Sequence, residues 1–432
     1  MSTTASPAAD RVAGGWVTDR FGVTLAGRAG QSSWTVHDLV VLGLRRNRRR
    51  AHLLVSTVLG KHIPTAPSRV RAAADDLGDA VINLLGADLA PRSTVLGFAE
   101  TATGLGHCVA HRLSARMYLH STRRAVEGAS VYGTFEEGHS HATTHLLLPS
   151  SPELLALDPD APLVLVDDEI STGSTALRAI ASLQQIAART HYVVASLVDM
   201  RTDAHRAETA RAAAELGVRI DYVALADGRV ELPDGLLESV WAATADPLNP
   251  VGTHRGRVDE LHLPWPGGVP DGGRHGFAHS DTAPFDLAVG IAAAEVLGAL
   301  DPERETVVVG HEELMYLPLC LAEHLERAGV PTRYQTTTRS PAQVRDVDGY
   351  PLRRGFTFTA PESDPTTPRF VYNLLAPDAP DRTPAVLPTV VMVIDRPADT
   401  ELLRAEGGLL DVLTAAGHDV CLAILPTGGA AR

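Results

Sequence analysis

Two adjacent carboxylates and a run of hydroxyl-bearing residues lie within one short stretch of the sequence, residues 163–175. Asp167 and Asp168 follow Leu163–Val166, an apolar run typical of a strand buried on both faces of a parallel sheet. Open α/β sheets bind their ligands at the carboxyl ends of such strands. The acidic pair is therefore placed to accept hydrogen bonds from the hydroxyl groups of a sugar.

The residues that follow have the composition of a phosphate-binding turn. They are small, they precede an apolar helical pattern at residues 176–188, and they comprise Ser171, Thr172, Gly173, Ser174 and Thr175. Unpaired N–H groups and the helix dipole favour a phosphate at the start of a helix. An ordinary capped turn would account for Ser171 but not for the acidic pair, and a Walker-type loop would need a lysine that this stretch lacks. The stretch predicts a site for a phosphorylated sugar.

These thirteen residues resemble the phosphoribosyl diphosphate (PRPP) loop of type I phosphoribosyltransferases, with a hydrophobic strand, an acidic pair and a T-G-x-T turn in the same order. The resemblance implies that Asp167 and Asp168 hold the 2′ and 3′ hydroxyls of the ribose, and that residues 171–175 wrap its 5′-phosphate. It also implies Mg²⁺ as a cofactor that is carried by the diphosphate, with the two aspartates as indirect metal ligands. Carboxylate and diphosphate oxygens suit this hard ion.

The length and composition of the chain limit which architectures and which binding partners are possible. A chain of 432 residues predicts two or three domains, and 44% hydrophobic with 21% charged residues is ordinary for a soluble globular protein. The sequence has no apolar run that could span a membrane and no secretory signal in its first ten residues, so we expect a cytoplasmic protein. The formal charge of −14 argues against nucleic-acid binding. The three cysteines are too scattered to suggest a zinc site or a disulfide framework.

The single lysine of the chain, Lys61, is a candidate for chemistry that needs a compact ammonium group. The alternative is that this one lysine is retained by chance in a chain that otherwise uses arginine. An arginine-rich run at residues 45–50 is either a solvated basic face or part of a site for the charges of a diphosphate. The spacing of apolar residues before it predicts a helix over Trp34–Leu44, with Ser33 as its cap.

A second turn of small residues follows the predicted strand Thr94–Ala99. In type I phosphoribosyltransferases a loop in this position receives the pyrophosphate. The resemblance therefore implies a pyrophosphate site formed by Arg46, Thr101, Ala102, Thr103, Gly104 and Arg123.

The polar segment 128–145 is predicted to be a lid without regular structure. Type I phosphoribosyltransferases carry a flexible hood at this point, and a metal-binding histidine cluster is the rival interpretation. A base for the acceptor requires a carboxylate or an imidazole, and a cation would assist the leaving group. The candidate catalytic residues are Lys61, Glu100, Glu137 and His139.

Strand and helix patterns alternate in both halves of the chain, which predicts two doubly wound, mainly parallel α/β domains. The first is expected to have the type I phosphoribosyltransferase fold, and the second to be a degenerate repeat of it. Asp399 and Glu401 of the second half stand where the first half has its phosphate turn, so we expect this half not to bind PRPP. The predicted divisions are a tail at 1–30, a phosphoribosyltransferase domain at 31–246, a Pro- and Gly-rich linker or arm at 247–284, and a second domain at 285–432.

The segments GKHIP, FAETATG, HSHATTH and Thr338-Arg339-Ser340-Pro341 together resemble a bacterial group in which a phosphoribosyltransferase domain is fused to a TRSP domain. This group is associated with tellurium-resistance and stress gene clusters. The resemblance implies transfer of a 5-phosphoribosyl group from PRPP to a small-molecule acceptor, in synthesis of a nucleoside-like metabolite, and dimers are common among the relatives.

Two other functions remain open at this point. The chain could be a regulator that binds PRPP without turnover, or a bifunctional enzyme with a second cleft in the TRSP half. The residues of that second cleft would be Glu313, Thr338, Arg339, Ser340 and Asp395. A second half kept for packing or dimerisation is the simpler alternative to a second cleft.

Overall fold

A computed structural model describes residues 15–28, 33–47, 50–126, 128–136, 144–362, 367–375 and 386–426. Within these ranges the chain forms a mixed α/β structure with mainly parallel sheets, which confirms the predicted fold class. The helices of the described ranges include none that is long and apolar enough to cross a membrane.

The first half contains ten strands and seven α-helices among the residues described. The strands are β1 (Thr24–Arg28), β2 (Val40–Leu44), β3 (His52–Ser56), β4 (Thr94–Gly97), β5 (Met117–His120), β6 (Gly133–Glu136), β7 (Thr144–Leu147), β8 (Leu163–Ile170), β9 (His191–Asp199) and β10 (Arg219–Glu231). The helices are α1 (Trp16–Phe21), α2 (Val36–Leu39), α3 (Pro67–Leu85), α4 (Ala102–Leu113), α5 (Ser174–Ile186), α6 (Asp203–Leu216) and α7 (Leu236–Ala242). Apolar residues at helical spacing, such as Val70, Leu77 and Val81, form the buried face of α3.

The remainder of the described chain contains eight strands and four α-helices. The strands are β11 (Val258–His262), β12 (Phe277–Ala278), β13 (Thr306–Gly310), β14 (Thr332–Thr336), β15 (Gly355–Thr359), β16 (Pro368–Tyr372), β17 (Thr389–Ile394) and β18 (Val420–Ile424). The helices are α8 (Thr282–Gly298), α9 (Tyr316–Arg327), α10 (Glu401–Arg404) and α11 (Leu409–Ala415). The apolar strands β13 and β17 are buried almost throughout, as central parallel strands require.

The larger sheet has, within the described residues, seven strands in the order β1-β10-β9-β8-β4-β5-β12. Strands β10 to β5 of this order pair in parallel, and β1 and β12 are antiparallel edge strands. The chain runs from β4 to β5 on one side and from β8 through β9 to β10 on the other. The strand order therefore reverses between β4 and β8, and open α/β sheets bind ligands beyond the carboxyl ends of strands at such a switch point.

The smaller sheet has five parallel strands in the order β11-β18-β17-β13-β14 in the part of the chain that is described. The run β18-β17-β13-β14 has the same order as β9-β8-β4-β5 in the larger sheet. In each half an antiparallel hairpin, β6–β7 or β15–β16, stands between the corresponding strands in sequence. This arrangement agrees with the hypothesis of an internal repeat, which stays a prediction because unrelated α/β proteins share strand orders.

The two halves pack against each other through one continuous hydrophobic core. Helices α3 and α4 of the first half contact α9 of the second, and the core joins Leu77 and Val109 to Leu317 and Tyr334. The segment 247–284 contributes to both sheets, because β12 pairs with β5 and β11 pairs with β18. This packing brings loops of the second half to the switch point of the larger sheet.

Three local predictions need correction. Within Trp34–Leu44 the helix covers α2 and is capped by Thr35 rather than Ser33, while the rest is β2, because pairing with β3 outweighs the helical spacing of its β-branched residues. Strand β8 continues through the acidic pair to Ile170 instead of ending before it. The lid segment 128–145 carries the paired strands β6 and β7, and residues 137–143 lie outside the described ranges.

Candidate active site

A cavity of about 370 Å³, called the main cavity here, opens at the switch point between β4 and β8. Its walls are the carboxyl ends of these strands, the turn before α5, the hairpin β2–β3 and loops of the second half. Its volume lies within the range of small-molecule sites. The main cavity is therefore the first place to look for the predicted ligand.

The acidic pair lies on the last residues of β8. Asp167 and Asp168 are half-buried and line the main cavity, and Oδ1 of Asp167 accepts a hydrogen bond from the backbone N–H of Asp168 at 2.9 Å. Glu169 lines the cavity as well and forms an ion pair with Arg50 at 3.0 Å. Carboxylate oxygens accept hydrogen bonds, so this wall suits a ligand rich in hydroxyl groups.

The turn between β8 and α5 depends on a glycine. Gly173 has a φ of 85°, and a Cβ at this position would lie 2.8 Å from Cγ2 of Thr209, so another residue would be both strained and crowded. Thr172 Oγ1 donates to Ser174 Oγ at 3.0 Å, and α5 then begins at Ser174, which is outside the cavity lining. The turn residues that line the main cavity are Ser171, Thr172, Gly173 and Thr175. The amino-terminal end of α5 thus borders the cavity, where its dipole favours an anion.

The turn after β4 contributes Glu100 and Thr101 to the main cavity. Lys61 lines the cavity too, and its ammonium group donates a hydrogen bond to Oγ1 of Thr101. The Glu100 carboxylate accepts the backbone N–H of Arg339 at 3.1 Å. A cation, a hydroxyl and a carboxylate therefore meet at the end of the cavity formed by this turn.

The other three residues of this turn lie in a different environment from the one predicted. Ala102, Thr103 and Gly104 form the first turn of α4, are buried, and are not part of the main cavity lining. Thr103 Oγ1 donates to the carbonyl of Glu313 at 3.0 Å, and a Cβ at Gly104 would lie 2.8 Å from Cβ of Met315. Their small size lets α4 approach the second half closely.

Arginines near the hairpin β2–β3 reach the main cavity, but Arg46 does not. Arg45, Asn47 and Arg50 line the cavity, whereas Arg46 is exposed and outside the lining. Side chains alternate along an extended backbone, so residues 45 and 47 share a side that residue 46 does not. Arg123 lines the cavity, and its guanidinium group donates to the carbonyl of Ala99 at 3.3 Å.

Two candidate catalytic residues, Glu137 and His139, lie outside the described residues. The hairpin β6–β7 on either side of them borders the main cavity through His145. This buried imidazole stacks on Phe135 with ring centres 4.4 Å apart, and its Nδ1 shares a hydrogen bond with Oγ of Ser121 at 2.8 Å. His145 is a cavity residue that the sequence placed in the lid without distinguishing it from its neighbours.

Two family models match the sequence. Residues 39–229 match the model described as phosphoribosyl transferase, and residues 271–413 match the model described as TRSP domain C terminus to PRTase_2. The chain carries a phosphoribosyl transferase domain followed by a TRSP domain. This confirms the resemblance seen in the sequence motifs.

Solved structures similar to this chain include adenine and orotate phosphoribosyltransferases. One is the adenine phosphoribosyltransferase of Trypanosoma brucei, in complex with AMP, pyrophosphate and ribose-5-phosphate, which is 18% identical over 47% of this chain and 83% of that chain, with a TM-score of 0.34. The other is the orotate phosphoribosyltransferase of Aeropyrum pernix, which is 21% identical over 48% of this chain and 94% of that chain, with a TM-score of 0.26. No curated protein matches the chain.

The TRSP domain reaches the main cavity of the phosphoribosyltransferase domain. The backbone of Thr338 pairs with Phe370 on β16, and Oγ1 of Thr338 accepts the N–H of Ser340 at 3.1 Å, which holds the Thr-Arg-Ser-Pro turn in shape. The TRSP residues that line the main cavity are Thr338, Arg339, Ser340, Pro341, Thr367 and Arg369. Sequence reasoning missed this contact because these residues lie far along the chain from the PRPP loop.

Glu313 and Asp395, which were expected in a second cleft with this turn, lie elsewhere. They line a separate cavity of about 20 Å³, which has room for about one water molecule. Glu313 accepts a hydrogen bond from Oγ1 of Thr122 at 2.6 Å, and Asp395 accepts one from Nη1 of Arg124 at 2.9 Å. The five residues of the expected second cleft are thus divided between the main cavity and this small one.

Proposed function

We propose that the main cavity binds PRPP and transfers its 5-phosphoribosyl group to a small-molecule acceptor, with release of pyrophosphate. One observation carries the proposal: the acidic pair, the phosphate turn and the contact between Lys61 and Thr101 border a single cavity at the switch point. The match to the phosphoribosyl transferase model supports phosphoribosyl transfer in general and leaves the acceptor open.

The sugar phosphate is assigned to the β8–α5 side of the cavity. Asp167 and Asp168 accept hydrogen bonds from the ribose hydroxyls, because ionised carboxylates are acceptors only. The turn from Ser171 to Thr175 offers hydroxyls and the first N–H groups of α5 to the 5′-phosphate. The ribose would then be held at both ends, which leaves C1 directed away from the phosphate turn.

The diphosphate is assigned to the opposite end, beside Glu100 and Thr101. During transfer the bond from C1 to the diphosphate oxygen breaks while the acceptor forms a bond to C1, so positive charge develops on the ribose and negative charge on the leaving group. Fixed cations near the leaving oxygens lower this barrier. Lys61 and Arg123 of the phosphoribosyltransferase domain donate hydrogen bonds to this segment, Lys61 to Oγ1 of Thr101 and Arg123 to the carbonyl of Ala99.

Mg²⁺ fits the cavity as a companion of the diphosphate. Asp167 and Asp168 offer carboxylate oxygens, which this ion prefers, whereas Glu169 is already paired with Arg50. When bound, the ion would neutralise charge that develops on the leaving group. We propose Mg²⁺ on this basis, with the acidic pair in an indirect role.

A second group of metal-ligating residue types does not fit a cation. His311, Glu312 and Glu362 lie close together in the TRSP domain. Arg124 forms ion pairs with both carboxylates, and Arg369 forms one with Glu312. Guanidinium groups already pair with both carboxylates and would repel a metal ion.

The acceptor proton requires a base, and Glu100 is the described candidate because its carboxylate lines the cavity. Glu137 and His139 stay predictions. Apolar side chains, among them Leu53, Leu54 and Phe98, also line the cavity and would suit a planar ring acceptor. A nucleoside-like product is proposed on this ground and on the family resemblance.

The proposal is tested by measuring pyrophosphate release from PRPP with Mg²⁺ and a panel of nitrogenous bases, together with a small-molecule extract of cells. We expect release that requires PRPP, Mg²⁺ and one acceptor, and that is lost after heat denaturation of the protein. Tight PRPP binding without release in any mixture would contradict transfer and would make the chain a PRPP-binding regulator.

A further inference from the structure

We propose that the TRSP domain supplies part of the diphosphate site, with Arg339 as a side chain that contacts the diphosphate of PRPP. The inference rests on the proposed function and adds a ligand from the other half of the chain. It assigns a role to the Thr-Arg-Ser-Pro turn, which then acts as a built-in partner of the phosphoribosyltransferase domain.

The Thr-Arg-Ser-Pro turn lies at the end of the main cavity that is assigned to the diphosphate. The backbone N–H of Arg339 donates to the carboxylate of Glu100, next to the contact between Lys61 and Thr101. Nη1 of Arg339 also lies 3.4 Å from the carbonyl of Arg123, the other cation assigned to this end. The Arg339 side chain therefore lies among the groups that face the leaving diphosphate.

A reciprocal contact joins the two halves at equivalent places. The carboxylate of Glu313 accepts the backbone N–H of Arg123 at 2.7 Å, just as Glu100 accepts the N–H of Arg339. The residue before each arginine also makes an antiparallel bridge to the second strand of the hairpin that follows it in sequence. Thr122, before Arg123, bridges to β7, and Thr338, before Arg339, bridges to β16. The turn of each half is thus locked to the strand-end carboxylate of the other.

The place in the TRSP domain that the predicted repeat matches to the main cavity is filled by side chains. Arg124 is buried against Glu312, Glu362 and Asp395, and Arg274 pairs with Glu313 at 3.3 Å. The small cavity left there has room for about one water molecule, not a sugar phosphate. The contact between the halves therefore serves one working cavity, which supports a partner role for the TRSP domain.

The charged residues that line the main cavity also support a role for the TRSP domain in binding the diphosphate. The phosphoribosyltransferase domain lines it with four cations, Arg45, Arg50, Lys61 and Arg123, and with four carboxylates, Glu100, Asp167, Asp168 and Glu169. The TRSP domain adds Arg339 and Arg369, and among its described lining residues there is no carboxylate. Among the charged residues that line the cavity, the excess of positive charge that suits a polyanionic substrate is therefore contributed by the TRSP domain.

Buried Glu312 holds both of these arginines in place. Its Oε2 lies 2.9 Å from Nη2 of Arg339, and its Oε1 accepts a hydrogen bond from Nε of Arg369. The carboxylate also pairs with Arg124, which has Glu362 and Asp395 as further partners, and Glu362 lies 3.9 Å from Nη2 of Arg369. Arg339 and Arg369 line the cavity and are thus oriented by a carboxylate that lies outside its lining.

The test compares three ligands by calorimetry on the full chain: PRPP with Mg²⁺, pyrophosphate with Mg²⁺, and ribose 5-phosphate, which has no diphosphate. Replacing Arg339 by Gln (R339Q) removes the charge and leaves the backbone N–H to Glu100 intact. We expect affinity for PRPP and pyrophosphate to fall about 10- to 100-fold, as for loss of a charged hydrogen bond, and affinity for ribose 5-phosphate to stay within about twofold.

Arg304→Gln (R304Q) is the matched control. Arg304 lies in the same domain, pairs with Asp419 at 2.7 Å, exposes 19% of its side chain against 18% for Arg339, and is outside the cavity lining. All three affinities should be unchanged in R304Q. Unchanged PRPP affinity in R339Q, or an equal loss for ribose 5-phosphate, would overturn the role of Arg339 while leaving the proposed function standing. Failure of the unaltered chain to bind either PRPP or ribose 5-phosphate would overturn both.

Discussion

Replacement of Glu312 by Gln should destabilise the contact between the two domains. The Glu312 side chain is completely buried, and its carboxylate pairs with Arg124, Arg339 and Arg369. Gln keeps the shape and removes the negative charge. Three guanidinium groups would then share a neutral amide, although Arg124 would keep its ion pairs with Asp395 and Glu362.

The expected size of the effect follows from the burial of these charges. Removing one partner of a buried ion pair costs about 3–5 kcal/mol, because the remaining charge is left without compensation. Since Arg124 retains two carboxylates, we place the loss for Glu312→Gln near the lower end, at about 3 kcal/mol of unfolding free energy. The matched control is Glu305→Gln, which breaks a half-exposed pair with Arg333 at 3.7 Å and should cost less than about 1 kcal/mol.

The effect should also depend on pH. Burial would raise the pKa of Glu312, but the charges of Arg124, His311, Arg339 and Arg369 outweigh it and hold that pKa well below its ordinary value of 4.5. A carboxyl with a lowered pKa stabilises the fold fully above its ordinary pKa, and this contribution fades as the pH falls below it. The stability difference between the unaltered chain and Glu312→Gln should therefore be constant from pH 6 to 8 and shrink below about pH 4.5.

Urea unfolding at several pH values, followed by tryptophan fluorescence and by circular dichroism, measures this difference. Coincident transitions from the two probes would show that both domains unfold together. If Glu312→Gln proves no less stable than Glu305→Gln at pH 7, or if its deficit is the same at pH 4 as at pH 7, the reasoning about a shared buried charge is refuted.

Two further predictions concern the phosphate turn and the second half. Gly173→Ala should lower the unfolding free energy by about 1–2 kcal/mol, because residue 173 has a positive φ. It should also weaken PRPP binding, because the added Cβ crowds Thr209. Gly217→Ala is the control: Gly217 has a φ of 68° and open space around it, so this variant should lose stability without losing PRPP affinity. Equal PRPP affinity in both variants would contradict the role given to the turn. Asp395→Asn should leave the PRPP dissociation constant within about twofold of the unaltered value in calorimetry, because Asp395 lies in the small cavity and not in the main one. A tenfold rise would contradict the assignment of PRPP to the main cavity alone.

Periodic and continuous apolar patterns were enough to predict the central elements. Strands β4 and β8 follow from runs of apolar residues that are buried in the structure as the patterns require. The pattern of Trp34–Leu44 was misleading, since short apolar stretches fit a helix and a strand equally well. The pairing of β2 with β3, which no local pattern contains, decided between them.

The PRPP loop could be located from sequence because its residues are adjacent in the chain. Arg339 and Arg369 could not, because their place in the main cavity depends on how two domains pack. The alternation that puts Arg45 and Asn47 in the cavity and Arg46 outside it required knowledge of the strand ends. Thr103 and Gly104 show the same limit, since small residues suit a pyrophosphate loop and a close helix contact equally well.

The most direct test of the central claim is the affinity of PRPP, with Mg²⁺, for the chain in which Asp167 and Asp168 are both replaced by Asn. The two carboxylates are half-buried at the end of β8, so their loss should leave the urea unfolding transition close to that of the unaltered chain. We predict that PRPP binding falls by at least about tenfold per lost charged hydrogen bond and that turnover disappears. Unchanged affinity and turnover in a normally folded variant would contradict the assignment of the main cavity to PRPP.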